Sequence, residues 1–181
     1  MDALECITSR RSIRKFNAQP VKQEIVEQIV QKAAFAPSWK NTQTVRYNLI
    51  LDAEKKQMIA DRYVLGFTWN QHTITDAPAL MVISTVTGRS GYEKDGTFST
   101  SQGTHWQSFD AGIATQTFCL AAHAMGLGSV VMGIFDENGI AETIDLPSDE
   151  KVAALVALGW PEGTHNAPKR KSIEELLRVM E

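Results

Sequence analysis

The chain has 181 residues, 43% of them hydrophobic, with a formal net charge of −3 and a pI near 5.8. That length suits one well-buried core spanning residues 1–181 as a single domain, and is short for two. The acidic balance argues against general nucleic-acid binding, which needs a broad basic footprint, and no apolar run reaches membrane-spanning length.

In chain order, Asp2 is placed to cap a short first helix, with Leu4 and Ile7 turned inward. Ser9-Arg10-Arg11-Ser12-Ile13-Arg14-Lys15-Phe16 follows, with four cationic side chains packed closely in an acidic protein. No apolar segment comes after it, so a twin-arginine export signal is excluded and the expected location is the cytoplasm. Pro20 opens a second helix in which Val21, Ile25, Val26, Ile29, Val30 and Ala33 recur at helical spacing. Pro37-Ser38-Trp39-Lys40-Asn41-Thr42-Gln43 is polar and aperiodic, hence a loop whose amides suit the edge of a ring.

Residues 46–51 alternate as a strand, and Asp52 caps a helix holding Met58 and Ile59. Residues 79–86 form a continuous apolar strand, buried on both faces. Residues 88–107 make a long polar segment carrying Tyr92, Phe98 and Trp106; such loops are usually functional or mobile. From about Trp106 to Met125 the helix is apolar nearly all round, which places it at the core centre or a subunit interface. Gly126-Leu127-Gly128 ends it. A strand from Ser129, a helix capped by Asp136, a strand over 152–158 and a capping box at Ser172 and Glu175 complete an α+β plan.

The chemistry is narrowed by absences. Gly126-Leu127-Gly128 leaves a helix and enters a strand, the reverse of a dinucleotide fingerprint. No phosphate-cradling P-loop and no nucleophile elbow occur. Cys6 and Cys119 match no metal or redox spacing and read as buried thiols in a reducing compartment. His72, His105, His123 and His165 form no zinc pattern, so no metal is expected; His123 reads as a satisfied interior histidine.

What remains is two basic clusters, Arg10 to Lys15 and Lys169 to Lys171, at opposite ends of the chain. The plain reading of each is a solvated face. Arginine, however, offers a planar fork suited to phosphate oxygens, and Ser12 adds a hydroxyl donor. If the ends converge they make a phosphate pocket, with Asn41, Gln43 and Asn70 free to address a ring.

Four segments in order resemble the nitroreductase family of flavoproteins. They are Arg10 to Phe16, Ala36 to Gln43, Asp110 to Ala114 leading into Gly126 to Ser129, and Leu158-Gly159-Trp160-Pro161 before the basic tail. The resemblance implies an α+β nitroreductase-like fold, a mixed, mostly antiparallel sheet flanked by helices, in an intertwined homodimer. It implies FMN at the subunit interface, with NADH or NADPH as donor and a nitroaromatic, quinone or similar small molecule as acceptor.

Carried over by position, Arg10, Arg11 and Ser12 would hold the phosphate and ribityl chain, and Arg14 would approach the pyrimidine edge. One of Lys169, Arg170 and Lys171 would close on the phosphate. Pro37, Ser38, Trp39 and Asn41 would come from the partner subunit, Asn70 would bond the pyrimidine, and the backbone of Val130, Val131, Met132 and Gly133 would face flavin N5. Thr73 stands where some members have a lysine, and Thr44 replaces the usual proline after Gln43. Rival readings are a related flavin reaction such as dehalogenation or enal reduction, a non-catalytic flavin carrier, and a phosphopeptide-binding module.

Overall fold

A computed structural model describes residues 1–181. Three of its seven α-helices start where a short acidic side chain satisfies the free backbone donors of a first turn. Asp2 accepts from Glu5 N–H (2.9 Å) to open α1 (Ala3–Ser9). Lys22, without a capping side chain, precedes α2 (Gln23–Ala33), so this helix begins three residues after Pro20 while Val21 is already buried. β1 (Val45–Ile50) follows a polar loop. Asp52 accepts from Lys55 N–H (2.7 Å) to open α3 (Ala53–Arg62), and α4 (Thr68–Asp76) comes next.

β2 (Ala79–Val86) is buried almost throughout. After a long turn-rich segment, α5 (His105–Ala124) crosses the molecule. Gly126 (φ +87°) ends it: Gly126 N–H donates to His123 O and Leu127 N–H to Ala122 O, a Schellman closure. β3 (Gly128–Met132), α6 (Glu137–Thr143, capped by Asp136), β4 (Glu150–Gly159) and α7 (Ile173–Leu176) complete the chain.

The sheet runs in the order β1-β2-β4-β3, and every strand pair is antiparallel. The only parallel contact is a single bridge between Ser12 and Ser129, so the expected mixed sheet reduces to that one contact. Central β2 and β4 are apolar on both faces because each face carries its own core. On one, Leu80, Val82, Leu155 and Ala157 meet Ile59 of α3, Ile74 of α4 and Ile140 of α6. On the other, Met81, Ile83, Val156 and Leu158 meet Ile29 of α2 and Phe118 of α5. Both cysteines are buried free thiols, and burial pushes the Cys119 thiol up.

One sequence expectation fails at the surface. Leu4 and Ile7 point outward, and Cys6 is the residue that α1 buries, its Sγ against Leu120 O. On α3, Met58 is exposed beside buried Ile59. No helix is long and apolar enough to cross a membrane.

The sheet edge positions the basic segment. Ile13 N–H donates to Ser129 O (2.9 Å), Asn17 N–H to Trp160 O (3.0 Å) and Glu162 N–H to Lys15 O (3.1 Å). Ile13 and Phe16 are buried, which leaves Ser12, Arg14 and Lys15 facing out. The apolar pair among the cations is therefore an anchor. Gly128 is what lets it seat: a Cβ there would stand 2.6 Å from Ile13 Cγ1 and 2.7 Å from its Cβ. Gly128→Ala is expected to destabilise the fold by about 1–3 kcal/mol through overpacking. Urea unfolding checks this; an unchanged midpoint would show that the anchor yields freely.

Candidate functional site

The arginine segment and the chain that follows β4 meet around one cavity of about 530 Å³. Its lining is Arg10, Arg11, Ser12, Arg14, Thr164, His165, Asn166, Pro168 and Arg170, with no hydrophobic residue. No carboxylate lines it either, so four guanidiniums converge uncompensated. The only salt bridge of the chain, Lys40 to Glu93, lies elsewhere. Like charges gathered this way are costly alone and suited to a polyanion.

Arg11 is partly committed. Its Nη1 donates to Thr8 O (2.7 Å) and Arg10 O (2.9 Å), closing the end of α1, while its buried Nε has no partner. The buried Nε2 of His165 is also without a partner. An orphaned guanidinium donor and an unpartnered imidazole nitrogen beside four cationic heads fit a phosphate group, because an unmade buried hydrogen bond costs about 1–3 kcal/mol. Of the three terminal cations, only Arg170 lines the cavity; Lys169 and Lys171 stand exposed outside it.

Asn70 is buried on α4, and Thr73, one turn later, is buried with its hydroxyl donated back to Trp69 O (2.8 Å). That face thus carries a neutral hydroxyl where some relatives of the resembled family carry a lysine. At the end of β3, Val131 and Gly133 are exposed and Met132 is buried.

The polar loop forms a second cluster that shares no lining residue with the arginine cavity. Pro37 and Ser38 border a separate cavity of about 340 Å³ together with Gln43, Thr44, Tyr47 and Asp110. A single 3-10 turn, Trp39–Asn41, occupies the loop, and Lys40, Asn41 and Gln43 have left-handed φ values of 45°, 55° and 49°. Such backbone persists only where its surroundings over-determine it. Here Gln43 N–H donates to Ser38 Oγ (3.0 Å), Trp39 N–H donates to both carboxylate oxygens of Asp110 (3.1 and 3.0 Å), and the Trp39 and Trp106 rings lie 4.6 Å apart. Asn41 itself is exposed. Thr44 is buried with its hydroxyl near that of Thr85 (3.4 Å), so loop rigidity comes from these contacts without the proline.

Asp110 was not singled out as a functional residue from sequence, yet it is the hub. Besides Trp39 it accepts from Ser90 Oγ (2.7 Å), tying α5, the polar loop and the 88–104 segment together. The signal was present: it is the only acidic residue in an apolar helix. Tyr92, Phe98 and Trp106 are loop anchors, with Tyr92 packed on Phe98 (4.9 Å) and Trp106 Nε1–H donating to Thr100 Oγ1 (3.0 Å). Glu93 accepts from Ser99 Oγ and from Lys40 Nζ (2.9 Å), and these two, the Ser99 hydroxyl foremost, hold its carboxyl below the usual range. Nowhere do three His, Cys, Asp or Glu side chains gather as metal ligands.

The sequence matches the model of the Nitroreductase family over residues 7–160. The FMN reductase (NAD(P)H) of Bacillus subtilis is 30% identical over 169 residues, covering 88% of this chain and 66% of the relative. Among solved structures, a nitroreductase family protein from Clostridium novyi NT superposes with a TM-score of 0.76 at 27% identity, covering 90% of this chain and 86% of that one. The NADPH:FMN oxidoreductase of Vibrio harveyi, solved with NAD+, superposes with a TM-score of 0.80 at 26% identity, covering 97% and 76%. The chain belongs to the nitroreductase family.

Proposed function

We propose that this chain, an FMN-dependent NAD(P)H oxidoreductase of the nitroreductase type, passes electrons to nitroaromatics, quinones or similar small acceptors. The observation that carries the reading is the carboxylate-free cavity where Arg10, Ser12, Arg14 and Arg170 converge. The phosphate monoester of FMN fits that donor set in charge and in hydrogen-bonding capacity. When bound, FMN supplies the hydride chemistry, taking reducing equivalents from the nicotinamide and handing them to the acceptor.

The protein's part is binding and orientation. Arg10, Ser12 and Arg170 hold the phosphate, with Arg11 contributing the edge of its guanidinium that α1 leaves free. Arg14 and Asn70 address the polar edge of the ring system, and the exposed backbone at Val131 and Gly133 lies alongside it. Pro37, Ser38, Trp39 and Asn41 contribute from the partner subunit, which accounts for their sharing no cavity with the arginines in one protomer. Donor and acceptor then use one face in turn, a ping-pong scheme.

A homodimer is part of the proposal. α1 leaves Leu4 and Ile7 uncovered, α5 leaves Phe109, and the tail leaves Ile173, Leu176, Leu177, Val179 and Met180. Exposed apolar side chains on these three elements support association of two copies. Equilibrium sedimentation is expected to return twice the 20.0 kDa chain mass; a monomer at micromolar concentration would remove the shared site. The activity is tested by the absorption spectrum of the purified protein under anaerobic NADPH or NADH. Bleaching of a bound yellow chromophore is expected. A bound flavin indifferent to both nicotinamides would indicate a carrier, and a colourless protein that takes up no FMN would point to a phosphopeptide module.

A further inference from the structure

His123 ends α5 with its Nε2 2.8 Å from Ser9 Oγ at the end of α1. Ser9 Oγ also lies 2.6 Å from the carbonyl of Glu5, a pure acceptor, so the hydroxyl hydrogen is directed there. Oγ is then left to accept from Nε2–H. This fixes the neutral ring in its Nε2–H form and leaves Nδ1 as the nitrogen that takes up a proton.

The residues after Ser9 are Arg10 and Arg11, two of the four guanidiniums of the cavity. The charged groups that act on the imidazole are these two arginines and Glu5 of α1. Burial first, then Arg10 and Arg11, hold His123 below the usual histidine range, and Glu5 opposes them. His123 itself does not line the cavity.

We propose that His123 is the proton-coupled partner of the arginine cavity: a phosphate seated against Arg10 and Arg11 draws one proton from solvent onto His123 Nδ1. The coupling rests on the reading of that cavity as the phosphate seat of FMN. Its physical basis is reciprocity. The field of the two arginines disfavours an imidazolium beside them, and a dianion between them cancels part of that field. Whatever the phosphate contributes to the imidazolium, the imidazolium returns to phosphate binding.

The sign follows directly. The bound state holds His123 at a higher pKa than the free state, so it carries more protons in the window between the two values. Affinity therefore rises as pH falls through that window, and is flat above it. No bond breaks; within that window the site gains one anion and a fraction of a proton.

The readout is the imidazole's own titration, because the phosphate of FMN takes up a proton near pH 6 itself and confuses affinity profiles. The His123 Cε1–H resonance, assigned by its absence in His123→Gln, is followed by NMR against pH in the free protein, with FMN and with riboflavin. The midpoint is expected to move up with FMN and to stay with riboflavin, which lacks the phosphate. Arg10→Gln in the flavin-free protein is expected to move it up as well. FMN that binds more tightly than riboflavin yet leaves the midpoint in place overturns the coupling alone. FMN that binds no more tightly than riboflavin overturns the phosphate seat and the coupling with it.

Discussion

Replacing Arg10 and Arg170 together with alanine is expected to lower FMN affinity by about 3–6 kcal/mol, two to four orders of magnitude. Each guanidinium lines the cavity from a different end of the chain, and a hydrogen bond to a charged group contributes about 1.5–3 kcal/mol. The two share one ligand, so their effects will not add strictly. Riboflavin binding should be unmoved. A second consequence separates binding from structure. With the cavity empty, four like charges repel, so the flavin-free double variant should be no less stable than the parent in urea. Loss of stability without loss of the preference for FMN over riboflavin would make these arginines structural.

The second large effect is on stability. Asp110 is 2% exposed and is acceptor to Trp39 N–H and Ser90 Oγ–H. Asp110→Ala strands both donors and removes the clamp on a loop with three residues in left-handed backbone. The expected loss is about 3–5 kcal/mol, from two charge-assisted hydrogen bonds. Asp110→Asn keeps one carbonyl acceptor and should cost roughly half as much. Intrinsic fluorescence offers a local probe, since the Trp39 and Trp106 rings pack in a tilted pair with centroids 4.6 Å apart beside this carboxylate and separate if the loop loosens. An alanine variant with parental stability and fluorescence would show that the loop holds itself.

Local signals were legible in the sequence because they act over a few residues. The caps at Asp2, Asp52 and Asp136, the Schellman closure at Gly126 and the apolar run of β2 all lie where residue chemistry puts them. The convergence of the two basic ends was legible as a condition, and the Glu162 N–H bond to Lys15 O and the cavity shared by Arg10 and Arg170 meet it. What escaped depends on what each face meets. Periodicity marks α1 as apolar on the side of Leu4 and Ile7, yet packing on α5 buries Cys6 instead. α4 has a mostly polar sequence and is held by tertiary packing of Ile74, so no periodicity announced it. His165 looked idle because the arginines at 10, 11 and 14 that share its cavity lie at the other end of the chain, beyond the reach of any spacing argument.

The most direct test is a crystal structure of the protein grown with FMN. The phosphate is expected between Arg10, Ser12 and Arg170, with the ring system reaching the loop at Pro37 to Asn41 of a second protomer. Density for FMN away from the arginine cavity, or complete within one protomer, would contradict it.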